Sequence, residues 1–462
     1  MSTATPAPRW RAVTVTTLVP TFLFSLGQGA LLPVLPLVAD DLGADLATAG
    51  LVSAMLMVGV LVGDIPSGIV IARIGERVAM VAAAGVAILG AVVGFLAPNP
   101  AVLAAAVFVI GLGGAVFALA RHAFLTTFVP VSYRARALST LGGTHRLGLF
   151  VGPFLSAALL QLTDLPASAF GVLAVGCLLA ALVLVLLRDP ESVFGAEHRS
   201  AAPTTGELFV ADEAHGLFRT LWARRSVLAT VGLGSAIMSA LRASRLVILP
   251  LWAVSIGLDG ATAALIIGIA GGIDFALFYG GGWLMDRFGR LWVAVPSLAS
   301  LSLAHLALAF THDAEAPVAW FVVLAFTLAV ANGLSSGILM TLGSDLADPR
   351  QPALFLGAWR FTNDLGGASA PLVIAGVTAA ASLPVAAAVI AGVGLVGATV
   401  WRFSIPRHVS RTPRGRGRGP RCGCPPARAR SRPAVATSLR ASRSRWPRRA
   451  WSPRYACLDP CP

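Results

Sequence analysis

Twelve apolar segments follow one another along the chain, at roughly 12–38, 47–68, 77–97, 101–127, 137–160, 166–187, 227–253, 262–284, 291–311, 317–343, 351–378 and 382–404. Each is long enough, as a helix, to cross the ~30 Å hydrocarbon core of a bilayer. The composition agrees. At 56% hydrophobic and 12% charged residues, with a mean hydropathy of +0.80, charge is far below the quarter usual in soluble domains. The fold class expected is all-α and integral to the membrane. Arg9 and Arg11 give the first segment the basic lead of a signal peptide, but its apolar run is too long for one and repeats the seventh segment, so it is read as a permanent span.

Arginine placement orients the spans. The connections on one side hold Arg73 and Arg77, Arg134 and Arg136, Arg188 through Arg225, Arg287 and Arg290, and Arg350. Those on the other side, "ADDLGADLA", "APNP", "QLTDLPA", "SIGLDGA", "THDAEAP" and "ASLP", hold none. Basic residues accumulate in cytoplasmic loops. Both termini are therefore expected in the cytoplasm, and the chain in a plasma membrane, the inner membrane of a bacterium.

The formal charge of +14 is a property of one end. Residues 405–462 carry fifteen Arg and one acid (Asp459), whereas residues 1–404 carry twenty Arg and twenty acids and balance to zero. The basicity therefore does not argue for a nucleic-acid partner. Four of the five cysteines share that tail, but "CGC" lacks the spacing of a zinc knuckle and no histidine follows it. The tail is expected to be disordered, and no metal site is expected.

The chain repeats itself at an offset of 214 residues. "VLPLVADDLGADLATAGLV" (34–52) lies over "ILPLWAVSIGLDGATAALI" (248–266), pairing Pro36 with Pro250, Gly43 with Gly257 and Asp45 with Asp259. In the same register Gly68, Arg73 and Gly75 meet Gly282, Arg287 and Gly289, and Arg136, Gly143 and Arg146 meet Arg350, Gly357 and Arg360. The implied organisation is a short N-terminus (1–11), a six-helix bundle (12–187), a polar linker (188–226), a second bundle (227–404) and the basic tail (405–462). Two parallel six-helix repeats around a central cavity are an architecture of rocking transporters.

Between the eighth and ninth segments stands Gly282-x-Leu284-x-Asp286-Arg287-x-Gly289-Arg290. Its first-half copy keeps Gly68, Arg73, Gly75 and Arg77 but has Ala72 at the aspartate position. On these residues the chain resembles the major facilitator superfamily over about 12–404. The fifth segment's Gly148-x-x-x-Gly152-Pro153 is similar to that of its proton-coupled efflux permeases, although Ser156 and Ala157 stand where further glycines are usual. The resemblance implies that Asp286, paired with Arg350, latches the cytoplasmic side against a helix N-terminus, where a carboxylate gains ~0.3–1 kcal/mol. Arg136 has lost its counterpart at Ala72, with Glu76 the nearest substitute.

Ionisable groups at membrane depth are costly and mark function by default. The set comprises Gln28, Arg121, His122, His145, Arg146, Arg242, Arg245, Asp274, Arg360, Asn363 and Asp364. In the resembled fold these fall on the first, fourth and seventh helices, which line the cavity, or on the fifth, eighth and eleventh beside it. Asp64 is read as an interface or gating residue, and His305 as a packing residue. Proton coupling needs a carboxylate whose ionisation answers to desolvation and to nearby cations. Asp274 is the candidate carrier, with Arg242 or Arg245 as its partner; Asp364 has Arg360 one turn away.

"GVGLVG" (392–397) and "GLSSG" (333–337) match nucleotide and nucleophile motifs, but lie inside apolar segments rather than strand–turn–helix units. No P-loop occurs, no cofactor is implied, and no enzyme activity is expected. The function expected is rocker-switch secondary transport, first as proton-coupled export of small organic compounds. Uptake of an organic anion or nutrient by a symporter or facilitator is the second reading, and a non-transporting sensor or scaffold the third. The partners expected are a small-molecule substrate, protons and the lipid bilayer, with the chain a monomer.

Overall fold

The computed structural model describes residues 14–129, 131–186, 222–347 and 352–408. Among them there are helices and no strands. The first bundle comprises α1 (14–41), α2 (Leu46–Ile74), α3 (Glu76–Phe95), α4 (Pro100–Phe128), α5 (Val131–Thr163) and α6 (Ser168–Leu186). The second comprises α7 (Arg225–Ser255), α8 (Gly260–Phe288), α9 (Arg290–Thr311), α10 in two pieces (Pro317–Leu334 and Ile338–Leu346), α11 (Pro352–Ala380) and α12 (Leu383–His408). Eleven of these are long and apolar enough to cross a membrane. The remaining one, α11, has 29 residues, but Arg360, Asn363 and Asp364 dilute its apolarity.

The 214-residue offset reappears in the backbone. Among the described residues the positive-φ glycines are Gly43 and Gly257, and Gly75 and Gly289, two pairs in that register. Asp45 and Asp259 cap α2 and α8 by accepting from the amides of Thr48 and Thr262, both at 2.9 Å. Hydrogen bonds from the Thr48 side chain and backbone hold the Asp45 carboxyl below its ordinary range. A π-turn opens each half, at Thr14–Leu18 and Leu228–Gly232. Helix pairings repeat as well: α1 with α5 and α6, α2 with α4, and α3 with α4 and α6 correspond to α7 with α11 and α12, α8 with α10, and α9 with α10 and α12.

The helices overrun the apolar segments on the arginine-bearing side. Gly68 and Arg73 lie within α2, and Gly282, Asp286 and Arg287 within α8, so the expected charged loop shrinks to one residue. Gly75 alone joins α2 to α3 at φ +79°, and Gly289 alone joins α8 to α9 at φ +91°. An L side chain is strained there, which explains why both copies keep glycine.

Leu89, Leu178, Leu303 and Val396 on α3, α6, α9 and α12 are exposed, as lipid-facing residues should be. The halves meet chiefly through α2 on α11 and α5 on α8, two pairings that the repeat exchanges. Toward the arginine-free face, Gly50 of α2 sits against Leu251 of α7, and Leu37 against Gly260 of α8.

Candidate functional site

The cavity between the halves is walled by α1, α5, α7 and α8 and has a volume of about 110 Å³. Its polar groups are Arg146 from α5, Arg245 from α7 and Asp274 from α8; its apolar walls include Leu32, Phe150, Leu249, Ile267 and Phe275. Asp274 accepts from Arg245 Nη2 at 2.9 Å and from Asn332 Nδ2 of α10 at 2.7 Å. Arg146 Nη1 stands 3.8 Å from the other Asp274 oxygen, donates to Ser336 Oγ at 3.0 Å, and lies over the Phe278 ring at 4.4 Å. Phe150 stacks on Phe275 across the halves at 6.3 Å. One carboxylate thus faces two guanidinium groups supplied by opposite halves.

Local sequence places these groups. Gly333 presses α10 onto α8, where a β-carbon would stand 2.8 Å from the Asp274 carbonyl oxygen; this approach brings Asn332 to the carboxylate. The "GLSSG" stretch sits at the break between the two pieces of α10. Ser335 and Ser336 hydroxyls both donate to the Asn332 carbonyl, at 2.9 and 3.1 Å, a competition with the helical ladder that serine hydroxyls commonly offer. Arg242 reaches the same end, donating to Ser335 Oγ at 3.2 Å and Asn332 O at 3.4 Å. A guanidinium there also complements the negative pole of a helix C-terminus. Arg242 therefore braces the broken helix and does not line the cavity.

The helix-5 residues serve packing. A β-carbon on Gly148 would stand 2.7 Å from Ser25 Cβ, and one on Gly152 would overlap the α1 backbone at Gly29 and Ala30. Pro153 lies within an uninterrupted α5 and forms part of the cavity wall.

The remaining sequence candidates fall elsewhere. Gln28 lies against Gly114 of α4. Arg121 is half-buried and His122 exposed on α4, neither in the cavity wall. His145 meets Ser25 Oγ at 2.6 Å, and His305 bonds Ser244 and the Leu301 carbonyl, both at 2.8 Å, as a packing residue. Arg360 pairs with Asp364 at 3.4 Å on its own helix and approaches Asp64 of α2 at 3.9 Å. Asn363 accepts from Ser235.

Arg350 and the Arg136 side chain lie outside the described residues, as does the tail beyond His408. Asp286 is 3.7 Å from Arg290, which binds Asp345 of α10 at 3.0 Å. Arg77 donates to the Leu184 and Val185 carbonyls at the end of α6, Arg287 lies over Trp283 and Phe288, and Arg73 is exposed. Asn332, Phe150 and Phe278 carry no charge and are not among the sequence candidates, and Ser335 and Ser336 enter there only within the "GLSSG" match; the polar spacing of Asn332, Ser335 and Ser336 within an apolar run is the signal that marks them.

Two six-helix repeats with a charged cavity at their interface define a multi-pass membrane protein of transporter architecture. The chain belongs to the Major Facilitator Superfamily, whose sequence profile matches residues 18–371 and, in a second match, 275–458. Its fold is similar to a solved mutant of the peptide transporter POT, at 15% identity and a TM-score of 0.69, covering 86% of this chain and 95% of that one. It is also similar to a D-xylose-proton symporter, at 14% identity and 0.67, covering 87% and 98%. A third likeness is the inward open conformation of the xylose transporter XylE from E. coli, at 14% and 0.67, covering 86% and 96%. No curated protein matches the chain. Membership of that family makes it a transporter and not an enzyme.

Proposed function

We propose that this chain is a proton-coupled secondary transporter of small organic compounds, working by alternating access in a bacterial inner membrane, with Asp274 as the proton carrier. The observation that carries the reading is the 2.9 Å pair between Asp274 and Arg245 in the cavity wall. An ionised Asp274 occupies Arg245 and Asn332, and draws on Arg146 from the other half. Protonation loosens all three, leaving their donors for cargo. Contacts of Gly50 with Leu251 and of Leu37 with Gly260 hold the halves together toward the arginine-free face, which supports an inward-facing arrangement if that face is external.

Of the two directions expected from sequence, the cavity favours symport. In an exporter that exchanges cargo for protons, the two compete for one carboxylate. Here a competing cation would have to displace Arg245 and sit beside Arg146, against two positive charges at short range. In symport the proton prepares the site for cargo. The glycines that suggested export are accounted for by the packing of α5 on α1. Purified protein in proteoliposomes tests the reading: an imposed pH gradient should drive accumulation, and Asp274→Asn should leave exchange but abolish the gradient's effect. Gradient-driven accumulation surviving in that variant would remove Asp274 from the role.

A further inference from the structure

We propose that the cavity takes a small amphipathic organic monoanion whose anionic group bridges Arg146 and Arg245, carried with one proton in an electroneutral cycle. The inference rests on the transporter reading above and adds the cargo's chemistry. Three features point to it. The wall holds two guanidinium groups and one carboxylate, so the charge of the empty cavity is not balanced. Both arginines reach the same carboxylate from opposite halves, Arg245 at 2.9 Å and Arg146 at 3.8 Å. The Nε donors of Arg245 and Arg242 are buried without a hydrogen-bond partner among the described residues. The site thus has donor capacity that the protein itself does not use.

The groups facing Asp274 are Arg245 and, further off, Arg242 from α7, Arg146 from α5 and the uncharged Asn332 from α10. Arg242 bonds the α10 break through Nη2 and lies outside the cavity wall, and His305 behind α7 is committed to Ser244 and Leu301. That leaves Arg146 and Arg245 for a ligand. Their planar forks suit a carboxylate or sulfonate, which can accept from both at once. Around them the wall is apolar, with the stacked pair Phe150 and Phe275 and with Leu249 and Ile267, so the rest of the ligand should be aromatic or aliphatic. The room between the walls, about 110 Å³, keeps the ligand small.

Charge counting gives the stoichiometry. Empty, with Asp274 ionised, two arginines and one carboxylate leave the wall at +1. With Asp274 protonated and a monoanion bound, the two arginines and the ligand again leave +1. Both states that must reorient carry the same charge, and one proton crosses with one negative charge. An anion bridging arginines from the two halves also ties cargo to their approach.

The test uses the full chain purified in detergent, titrated calorimetrically with benzenesulfonate, benzoate and hexanoate as anions, benzylammonium as a cation and benzyl alcohol as a neutral probe. At least one anion should bind saturably, and neither the cation nor the alcohol should match it. Affinity should rise as the pH falls, and fall about ten-fold in Arg146→Gln and Arg245→Gln, as expected for losing one charge-assisted contact. Arg146→Lys and Arg245→Lys guard against misfolding and should bind more tightly than the Gln variants. In Asp274→Asn the pH dependence should vanish. In proteoliposomes, flux of a bound sulfonate should not respond to an imposed potassium diffusion potential.

Failure of all three anions, stronger binding of the cation or the alcohol, or unchanged affinity in the arginine variants would overturn the inference. Potential-driven flux would overturn its stoichiometry. Arginine-dependent anion binding without proton-driven transport would instead bring down the coupling role of Asp274 and leave the anion site standing.

Discussion

Arg360 on α11 lies 3.9 Å from Asp64 on α2, and its repeat counterpart Arg146 on α5 reaches the opposite way, to lie 4.4 Å over the ring of Phe278 on α8. Positions 64 and 278 are themselves counterparts in the 214-residue register. The two halves therefore grip each other through equivalent arginines, one meeting a carboxylate and the other an aromatic face. The symmetry of the repeat survives in the geometry and is broken in the chemistry. The break falls on the side where Asp274 supplies Arg146 with a second partner.

Asp64→Asn should change thermal stability little, by under ~1 kcal/mol, because the Arg360 side chain is 53% exposed and such pairs are screened by solvent. Its effect should fall instead on the balance between the two orientations. Labelling of single cysteines near the arginine-bearing ends of α2 and α11 should become faster. A large loss of melting temperature with unchanged labelling would assign Asp64 a purely structural role.

Arg245→Ala should be severe. With side chains only 11% and 13% exposed, removing Arg245 takes away the nearer of the two cations at Asp274 and leaves Arg146 at 3.8 Å, a loss of up to about 3 kcal/mol. Adding Asp274→Ala to that variant should restore most of the lost stability. Thermal unfolding of the two singles and the double in detergent measures this, and an additive double mutant would contradict it.

Gly333→Val should push α10 away from α8, since a β-carbon has no room beside the Asp274 backbone. The expected result is a folded protein in which Asn332 no longer reaches Asp274, with a shifted pH profile of transport. An unaltered profile would show that the Asn332 contact does not matter to coupling.

Asp286→Ala should slow transport several-fold, whereas Ala72→Ser should not. Asp286 is 83% exposed, so its removal should leave the melting temperature alone. Initial rates in proteoliposomes decide it; equal effects at the two positions would mean that the degraded first-half signature still functions.

Much of the architecture was legible because lipid leaves a sequence few choices. Eleven of the spans announce themselves by length and apolarity, and α11 by length and by its place in the repeat. The repeat announces itself by residues whose backbone demands do not tolerate substitution, such as Gly75 and Gly289 at positive φ and the capping Asp45 and Asp259. The i,i+4 pair of Arg360 with Asp364 could also be read from spacing alone, because one helix supplies both members. The signature charges were visible, but their place was not: they belong to the ends of α2 and α8, and the turn is one glycine.

The sequence by itself determined the helices, their repeat and the short list of charges too costly to leave unpaired in a membrane. Only the tertiary structure decided which charges share a site. Arg242 and Arg245 lie one turn apart on α7, yet one braces the break in α10 and the other holds Asp274, because the packing of α8 and α10 against α7 presents them with different partners. Arg146 joins the same carboxylate from the other half of the chain, 128 residues away in sequence. Periodicity within a helix fixes which face a residue shares, but contact between helices depends on where small residues let their backbones approach. Gly333 and Gly152 set those distances, and with them the site.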